Sequence, residues 1–208
     1  MRLRHKPHAI PHMQESSYII FDPENHKGSW KDIFKNKNEI ELEIGAGKGD
    51  FIVSKAINTT DKNFLALEMN TNAFVSACKK IEENDLKNVY GIVGKAEELT
   101  DMFDENEISK IYLNFSTPWP KKRHNKRRLS HENFLKLYKV ICKTGAEIEL
   151  KTDNEDFFDA SVAYMEDFGM EIIEVERNLA EEDSIVTEYE RKFRDRNMPI
   201  FHLIAKFK

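Results

Sequence analysis

Residues 39–50 decide the fold, and they read Glu39-Ile-Glu-Leu-Glu-Ile-Gly-Ala-Gly-Lys-Gly-Asp50. The alternating apolar residues over 39–44 predict a β-strand, the glycines predict a tight turn, and the apolar periodicity of residues 51–57 predicts a helix. A strand that turns through glycines into a helix opens many ligand-binding α/β sheets. Glycines there let the backbone pass close beneath a ligand, and we expect amides at the helix start to remain free.

The same alternation of strand and helix continues to the end of the chain. The predicted strands span residues 39–44, 63–67, 89–93, 110–115, 146–150, 170–176 and 200–207. The predicted helices span residues 51–57, 72–83, 96–103, 131–143 and 157–168, with Gly145 and Gly169 after the last two. This pattern predicts a doubly wound α/β fold whose seven-stranded, mostly parallel sheet ends in an antiparallel C-terminal strand.

The N-terminal residues 1–38 carry three prolines and little periodicity, so we expect a basic arm of the same domain, with at most a short helix near 28–36. Residues 39–208 then form the main α/β part of the domain. His5, His8 and His12 in the arm predict no metal site, because the intervening prolines forbid a regular helix face.

Composition limits the class of protein. The chain has 208 residues, a net charge of −5 and 40% hydrophobic residues, which is typical of one globular domain. No apolar run approaches the roughly 18 residues of a membrane span, and no signal peptide is evident, so we expect a cytoplasmic protein without membrane contact. Cys78 and Cys142 have no CxxC partner, and we interpret both as reduced, partly buried thiols.

The glycine turn favours S-adenosylmethionine over NAD. Its G-x-G-x-G spacing differs from the G-x-G-x-x-G dinucleotide motif, and Glu43 precedes it. A carboxylate there suits a sulfonium and an ammonium but repels a pyrophosphate. Glu68, at the end of the second strand, is placed to accept hydrogen bonds from both ribose hydroxyls. The alternative is that Glu43 and Glu68 are surface acids.

The fourth strand ends at Asn114-Phe-Ser-Thr-Pro-Trp119, where ligands of open α/β sheets bind. Two prolines stiffen this loop and hold Trp119, which either walls the pocket, stacks on a base or packs the loop. Six Lys or Arg then follow within residues 121–128, and a localised basic segment on an acidic chain predicts contact with nucleic-acid phosphates.

Two further segments carry hydrogen-bond acceptors. They are Leu150-Lys-Thr-Asp-Asn154 and Thr187-Glu-Tyr-Glu-Arg-Lys192. Asp153, Glu188 and Glu190 could accept from guanine N1–H and N2–H₂, or could simply cap local backbone.

Together these motifs resemble the bacterial tRNA (guanine-N7-)-methyltransferases, which methylate a guanosine in the tRNA variable loop. The resemblance implies a Rossmann-like class I methyltransferase, with S-adenosylmethionine as cofactor, tRNA as partner, and a monomeric or homodimeric state. It implies cofactor binding by Glu43, Gly45, Gly47, Gly49 and Glu68, together with the positions of Lys95 and Thr117. It implies substrate binding by Lys121, Asp153, Thr187, Glu188, Tyr189 and Glu190. It implies RNA contact by Arg123, His124, Asn125, Lys126, Arg127 and Arg128.

Two positions depart from the family pattern. Thr117 stands where the family usually has an Asp that serves the cofactor site and catalysis. Lys95 stands at about the position where the family usually has an acid, which would accept from the adenine amino group. Adenine recognition would then pass to a backbone carbonyl or to Glu97. The alternative function is a catalytically impaired or purely tRNA-binding relative, and a nicotinamide-dependent oxidoreductase is disfavoured.

Overall fold

The computed structural model describes residues 6–208, so Arg2, Arg4 and His5 of the predicted basic arm lie outside the described residues. The chain divides into two compact units, one up to Asp104 and one from Glu105 onward. The helices are α1 (Ala9–Glu15), α2 (Trp30–Phe34), α3 (Asp50–Asn58), α4 (Thr71–Glu83), α5 (Leu99–Met102), α6 (Glu132–Ile141), α7 (Glu155–Asp167) and α8 (Glu188–Arg194). The strands are β1 (Ile19–Ile20), β2 (Ile40–Ile44), β3 (Asn63–Glu68), β4 (Val89–Val93), β5 (Ile108–Asn114), β6 (Cys142–Thr152), β7 (Glu171–Glu176) and β8 (Phe201–Lys206).

The first unit is built on four parallel strands in the order β1-β4-β3-β2. Leu42 of β2 pairs with Leu65 of β3, and Leu65 pairs with Tyr90 of β4. Every residue of β2 is buried, as expected for a parallel strand that is covered on both faces. The register brings the carboxyl ends of β2 and β3 together, and Glu43 and Glu68 lie there.

Helix α1 was not predicted, and the expectation that prolines exclude a helix in this segment is wrong. Pro11 occupies the third position of α1, within the first turn, where backbone N–H groups have no intrahelical partner. The first helical bond, from His12 N to His8 O, is 3.1 Å long. The missing N–H of proline therefore removes no bond from this helix.

The second half of the predicted arm belongs to the first unit's core. Trp30 on α2 is fully buried, its Nε1 donates to Met102 O at 2.9 Å, and its ring stacks on Phe103 at 5.2 Å between centroids. The division into an arm over 1–38 and a domain over 39–208 stays a prediction.

The second unit contains the strand order β5-β6-β8-β7. Strands β5 and β6 are parallel, whereas β8 runs antiparallel to both β6 and β7. The predicted antiparallel C-terminal strand is confirmed. Residues 6–208 contain eight strands rather than the predicted seven, because the two-residue β1 was missed.

Gly145 does not end helix α6, as the sequence suggested. The helix stops at Ile141, and Gly145 lies inside β6 at a φ of +77°. The register between β5 and β6 shifts there, since Ile108 pairs with Cys142 but Lys110 pairs with Glu147. A glycine at positive φ accommodates this irregularity. Within residues 6–208, no helix has the length and apolar character to cross a membrane.

Candidate active site

The glycine turn of the first unit is anchored by its own amides. Gly45 N and Ala46 N donate to Leu67 O at 2.9 and 3.1 Å, and Gly49 N donates to Ala46 O at 2.8 Å. Gly47 N donates to Glu68 Oε2 at 2.8 Å. Three of these bonds fix the turn to the end of β3, and the fourth closes the turn on itself. All four amides precede α3, so the expectation of free amides at the helix start stays a prediction. A turn that has used these donors is poorly suited to a pyrophosphate.

Glycine is required at positions 45 and 49 of the turn for two different structural reasons. Gly45 has a φ of +83° and no atom within 4 Å of the place a Cβ would occupy, so its side is open to a ligand. Gly49 has a φ of +76°, and a Cβ there would lie 2.6 Å from Ala77 Cβ of α4. The turn is thus open on one side and tightly packed on the other.

Carboxylates flank this turn. Glu43 is 3% exposed, which rejects the surface-acid alternative for this residue. Glu68 is partly exposed, and its Oε1 accepts from Asn70 N at 2.7 Å while its Oε2 holds Gly47. A carboxylate has about four acceptor positions, so Glu68 can hold the turn and still accept from ribose hydroxyls. These residues fit a cofactor that carries positive charge and a ribose.

Lys95 lies exposed after β4, at the start of a short 3₁₀ helix over Ala96–Glu98. Its Nζ is 3.6 Å from Glu98 Oε1, and its backbone N donates to Glu98 Oε2 at 3.4 Å. The ammonium is therefore directed to its own neighbour. Glu97, the suggested substitute for the missing acid, is exposed.

In the second unit, the loop after β5 carries two non-glycine residues with positive φ, Phe115 at 48° and Trp119 at 44°. Such conformations concentrate at functional sites, where the surrounding structure imposes them. Phe115 N donates to Lys151 O at 2.8 Å, which fixes the start of the loop to the end of β6. Thr117 is exposed. Among the described residues, the buried Ser116 Oγ has no hydrogen-bond partner.

An aromatic cluster of Phe115, Tyr189 and Phe193 adjoins this loop. The Phe115 and Phe193 rings are nearly parallel at 6.2 Å, and Tyr189 lies 5.3 Å from Phe115 and 5.0 Å from Phe193. Tyr189 is 50% exposed. Burial, and then the nearby Asp153 carboxylate, raise the pKa of Tyr189, and burial raises the pKa of Asp153 itself. The exposed Tyr189 ring therefore lies near enough to the Asp153 carboxylate to interact with it electrostatically.

Thr187 and Glu190, two residues expected to bind substrate, make hydrogen bonds within the protein. The Thr187 hydroxyl caps α8 by accepting from Glu190 N at 3.1 Å. Glu190 is fully buried, and its Oε2 accepts from Lys151 Nζ at 3.2 Å and from Ser184 Oγ at 3.0 Å. Its Oε1 accepts from Arg194 Nε and Nη2 at 2.8 and 2.7 Å. Both carboxylate oxygens of Glu190 are thus enclosed and bonded within the protein, and its direct contact with a base stays a prediction.

Glu188 and Lys121, in contrast, are exposed, as the predicted substrate contacts require. Glu188 pairs with Lys192 one helical turn away, at 2.7 Å. Among the predicted substrate residues, Lys121, Glu188 and Tyr189 are therefore exposed, Asp153 is partly buried, and Thr187 and Glu190 are buried.

The basic segment, residues 121–128, includes a 3₁₀ helix over Lys122–Arg127. Arg127 lies over the Trp119 ring at 5.0 Å, and His124 meets the same ring edge-on at 5.7 Å, so Trp119 packs this loop. Arg128 is only 6% exposed, and its Nε donates to Pro118 O at 2.8 Å. The Arg128 guanidinium is therefore bonded to the loop, and its contact with RNA stays a prediction.

Within the segment, Lys121, Lys122, Arg123, Lys126 and Arg127 are exposed, while His124 and Asn125 are partly buried. Asn125 Oδ1 is buried without a hydrogen-bond partner among the described residues.

Solved structures with the same fold are methyltransferases. The crystal structure of the 16S rRNA methyltransferase KamB has a TM-score of 0.68 and 14% identity, over 87% of this chain and 93% of that chain. A SAM-dependent methyltransferase from Aquifex aeolicus has a TM-score of 0.58 and 18% identity, over 99% of this chain and 100% of that chain. At these identities the likeness establishes the fold alone. Fold and carboxylate-flanked turn together define an S-adenosylmethionine-dependent methyltransferase.

The particular family follows from closer relatives. A family model described as "Putative methyltransferase" matches residues 37–203. The chain is 43% identical to the tRNA (guanine-N(7)-)-methyltransferase of Oceanobacillus iheyensis and 42% identical to that of Clostridium novyi, over 100% of this chain and 99% and 100% of those proteins. The chain belongs to the tRNA (guanine-N7-)-methyltransferase family. The predicted fold class and cofactor are confirmed, and an enzyme is favoured over a binding-only relative.

Sequence reasoning missed the roles of Lys151, Phe115 and Phe193. The sequence contained one indication of the role of Lys151, since a lysine at the end of an apolar strand needs a buried partner. Tyr189 and Phe193 are four residues apart, which places them on one helical face. Nothing in the sequence connected that face to Phe115.

Proposed function

We propose that this protein transfers a methyl group from S-adenosylmethionine to N7 of a guanosine in the variable loop of tRNA. The observation that carries the proposal is the glycine turn, whose amides are internally bonded and whose flanking groups are carboxylates. Such a turn favours a cationic methyl donor over a dinucleotide. The names of the full-length relatives support tRNA guanine as the acceptor.

The cofactor residues of the proposal are those around the turn. Glu43 and Glu68 supply negative charge and acceptors for the ribose and ammonium groups, and Gly45 leaves the approach open. When bound, S-adenosylmethionine supplies an electrophilic methyl group. The protein has to align that methyl carbon with guanine N7 and exclude water.

Guanine N7 has a free lone pair in the neutral base, so its methylation needs no general base. Positive charge develops on the guanine ring as the bond forms, and an adjacent carboxylate stabilises it. Asp153 is the partly buried carboxylate beside the exposed Tyr189 ring. We assign Asp153 to the guanine N1–H and N2–H₂ donors and Tyr189 to the face of the base.

The buried residues of the predicted substrate set have a positioning role in this proposal. Glu190 and Thr187 fix the start of α8, and α8 presents Tyr189. Lys121 and Glu188 remain exposed candidates for direct substrate contact, and Thr117 occupies the position expected to orient the base near the methyl group.

The exposed cations of the basic segment, Arg123, Lys126 and Arg127 among them, contact tRNA phosphates in this proposal. His124 and Asn125 hold the segment's shape. The protein acts in the cytoplasm on tRNA, as a monomer or homodimer.

The test is nucleoside analysis of unmodified tRNA incubated with the full-length protein and S-adenosylmethionine. We expect 7-methylguanosine to appear with the natural chain and to fall strongly with Glu68→Gln, which keeps the side chain's shape but removes its charge. An exposed-acid control, Glu83→Gln at the end of α4, keeps full activity. A different methylated nucleoside, or none, would refute the proposal.

A further inference from the structure

A second cluster of reactive side chains lies within the first unit, where α1 packs against α4. His12 belongs to α1, whereas Cys78 and Glu82 belong to α4, and one potential ligand atom from each lies within 4.8 Å of the others. His12 Nε2 is 3.0 Å from Glu82 Oε2, and Cys78 Sγ is 3.5 Å from Glu82 Oε1. An imidazole, a thiol and a carboxylate therefore converge at one point.

The spacing on both helices favours this convergence. Cys78 and Glu82 are four residues apart, which places both on the same face of α4. Ser16, which ends α1, is likewise four residues after His12, and its hydroxyl is close enough to lower the pKa of both Cys78 and Glu82. His12 and Ser16 of α1 thus face Cys78 and Glu82 of α4, and each of these side chains carries an atom that can bind a metal ion.

The cluster is closed at its base and accessible at its mouth. Cys78 is fully buried, while the side chains of His12 and Glu82 are 35% and 31% exposed. A small cation can approach past the imidazole and the carboxylate and reach the sulfur beneath them.

We propose that His12, Cys78 and Glu82 form a Zn²⁺ site, with Ser16 or a water molecule as the fourth ligand. Nitrogen, sulfur and oxygen are the ligand atoms of tetrahedral zinc sites, in which neighbouring ligand atoms lie roughly 3.3–3.8 Å apart. The separations here need only small side-chain movements to reach that geometry. One thiolate and one carboxylate neutralise the two charges of the ion.

Zinc binding requires a proton balance. Burial raises the pKa of the Cys78 thiol to about 11, so without a metal the sulfur keeps its proton and donates to Glu82. When the zinc–sulfur bond forms, the S–H bond breaks and the proton leaves to solvent. The ion then replaces the Cys78–Glu82 and His12–Glu82 hydrogen bonds, and it fixes α1 to α4.

The experiment is a cobalt titration of the full-length protein after chelator treatment, because Co²⁺ reports its ligands by absorption. We expect one equivalent of Co²⁺ to give a thiolate-to-cobalt charge-transfer band and the d–d bands of a tetrahedral site, and Zn²⁺ to displace it. Cys78→Ser should abolish the charge-transfer band. Cys142→Ser, which removes the other cysteine of the chain, should leave it unchanged.

His12→Asn provides a second variant at a partly exposed position, where a folding defect is not expected. It should lower Zn²⁺ affinity by more than about 10-fold, since even changes outside the ligand set cost 10–100-fold. Circular dichroism of each metal-free variant establishes that it is folded. The proposal is wrong if the cobalt spectrum shows no thiolate band, or if folded Cys78→Ser and His12→Asn bind Zn²⁺ like the natural chain.

Discussion

Thr117 is exposed in the loop after β5, at the position where the family resemblance implies an Asp. Its hydroxyl can accept a hydrogen bond but adds no charge to oppose the cation that forms on guanine. A charge-assisted hydrogen bond contributes about 1.5–3 kcal/mol, so we expect Thr117→Asp to raise the methyl-transfer rate about 10–150-fold. Transfer of radiolabelled methyl to unmodified tRNA measures this rate.

Thr117→Asn is the matched control, because it has the shape of Asp without the charge. It should leave the rate within a few-fold of the natural chain. Equal rates for Thr117→Asp and the natural chain would show that this position has no catalytic role.

At the scale of elements, the start of α8 depends on a buried ionic group. Glu190 is fully buried between Lys151 and Arg194, and Lys151 is itself 2% exposed. Removing one partner of a buried pair leaves the other charge uncompensated, so Glu190→Gln should lower the free energy of unfolding by about 3–5 kcal/mol. Urea denaturation measures the change.

Glu188→Gln on the same helix is the control for Glu190→Gln. Its pair with Lys192 is exposed, and exposed pairs contribute about 0–1 kcal/mol. If both variants lose the same small free energy, Glu190 is not the residue that fixes α8.

A second ionic group joins β6, β7 and β8. His202 Nδ1 is 2.7 Å from Glu174 Oε1, and its Nε2 is 3.4 Å from Glu149 Oε1. Burial alone would lower the pKa of His202, but the two carboxylates outweigh it and the pKa is raised. Burial also opposes the charge of Glu149, yet His202 and Lys110 lower the pKa of Glu149 to about 2.

The sign of the pH dependence follows from these shifts. A raised histidine pKa contributes stability that is complete below the unfolded-state value of about 6.5 and is lost as pH rises through the folded-state value. The lowered Glu149 pKa contributes stability above about pH 4.5 that is lost as pH falls toward 2. We therefore expect the unfolding free-energy difference between the natural chain and His202→Gln to shrink above pH 6.5. A constant difference from pH 6 to 9 in urea denaturation, with His8→Gln as surface control, would contradict this assignment.

Sequence periodicity predicted the helices and strands that carry a regular pattern of apolar residues. The strand over 39–44 and the helix over 72–83 appear almost as expected, because each has a regular apolar pattern. Helix α1 is hard to predict because proline usually breaks helices, although Pro11 lies in the first turn, where its missing N–H costs no hydrogen bond. Gly145 was misplaced because a positive φ can serve a helix end or a strand irregularity equally well.

The parts of the site that could not be predicted depend on contacts between distant residues. Lys151 and Glu190 are 39 residues apart, and His12 and Glu82 are 70 apart. The sequence motif around residues 187–192 predicted a functional role for Glu190. Only the packing of α8 shows that the Glu190 carboxylate is buried. Lys126 is exposed and Arg128 is buried. A run of consecutive basic residues does not predict this difference.

At the scale of the whole molecule, we expect a chain of net charge −5 to bind a polyanion through its local basic segment. Removing one cation that neutralises a phosphate should reduce the slope of log affinity against log salt by about 1. We expect this change for Lys126→Gln, whose side chain is exposed, in tRNA-binding titrations across salt concentrations. Lys79→Gln removes the same charge from an exposed position on α4 and should not change the slope.

Arg128→Gln should behave differently from Lys126→Gln, because the Arg128 guanidinium holds Pro118 O. It should lower stability and leave the salt slope unchanged. A slope change for Arg128→Gln equal to that of Lys126→Gln would place the buried guanidinium on the RNA after all.

The central claim is that guanine N7 of tRNA receives the methyl group, and replacing that atom tests it most directly. Two otherwise identical tRNA transcripts, one with guanosine and one with 7-deazaguanosine, are incubated with the protein and radiolabelled S-adenosylmethionine. We predict label in the guanosine transcript and none above background in the 7-deaza transcript, with equal binding of both. Equal labelling of the two transcripts would contradict the account.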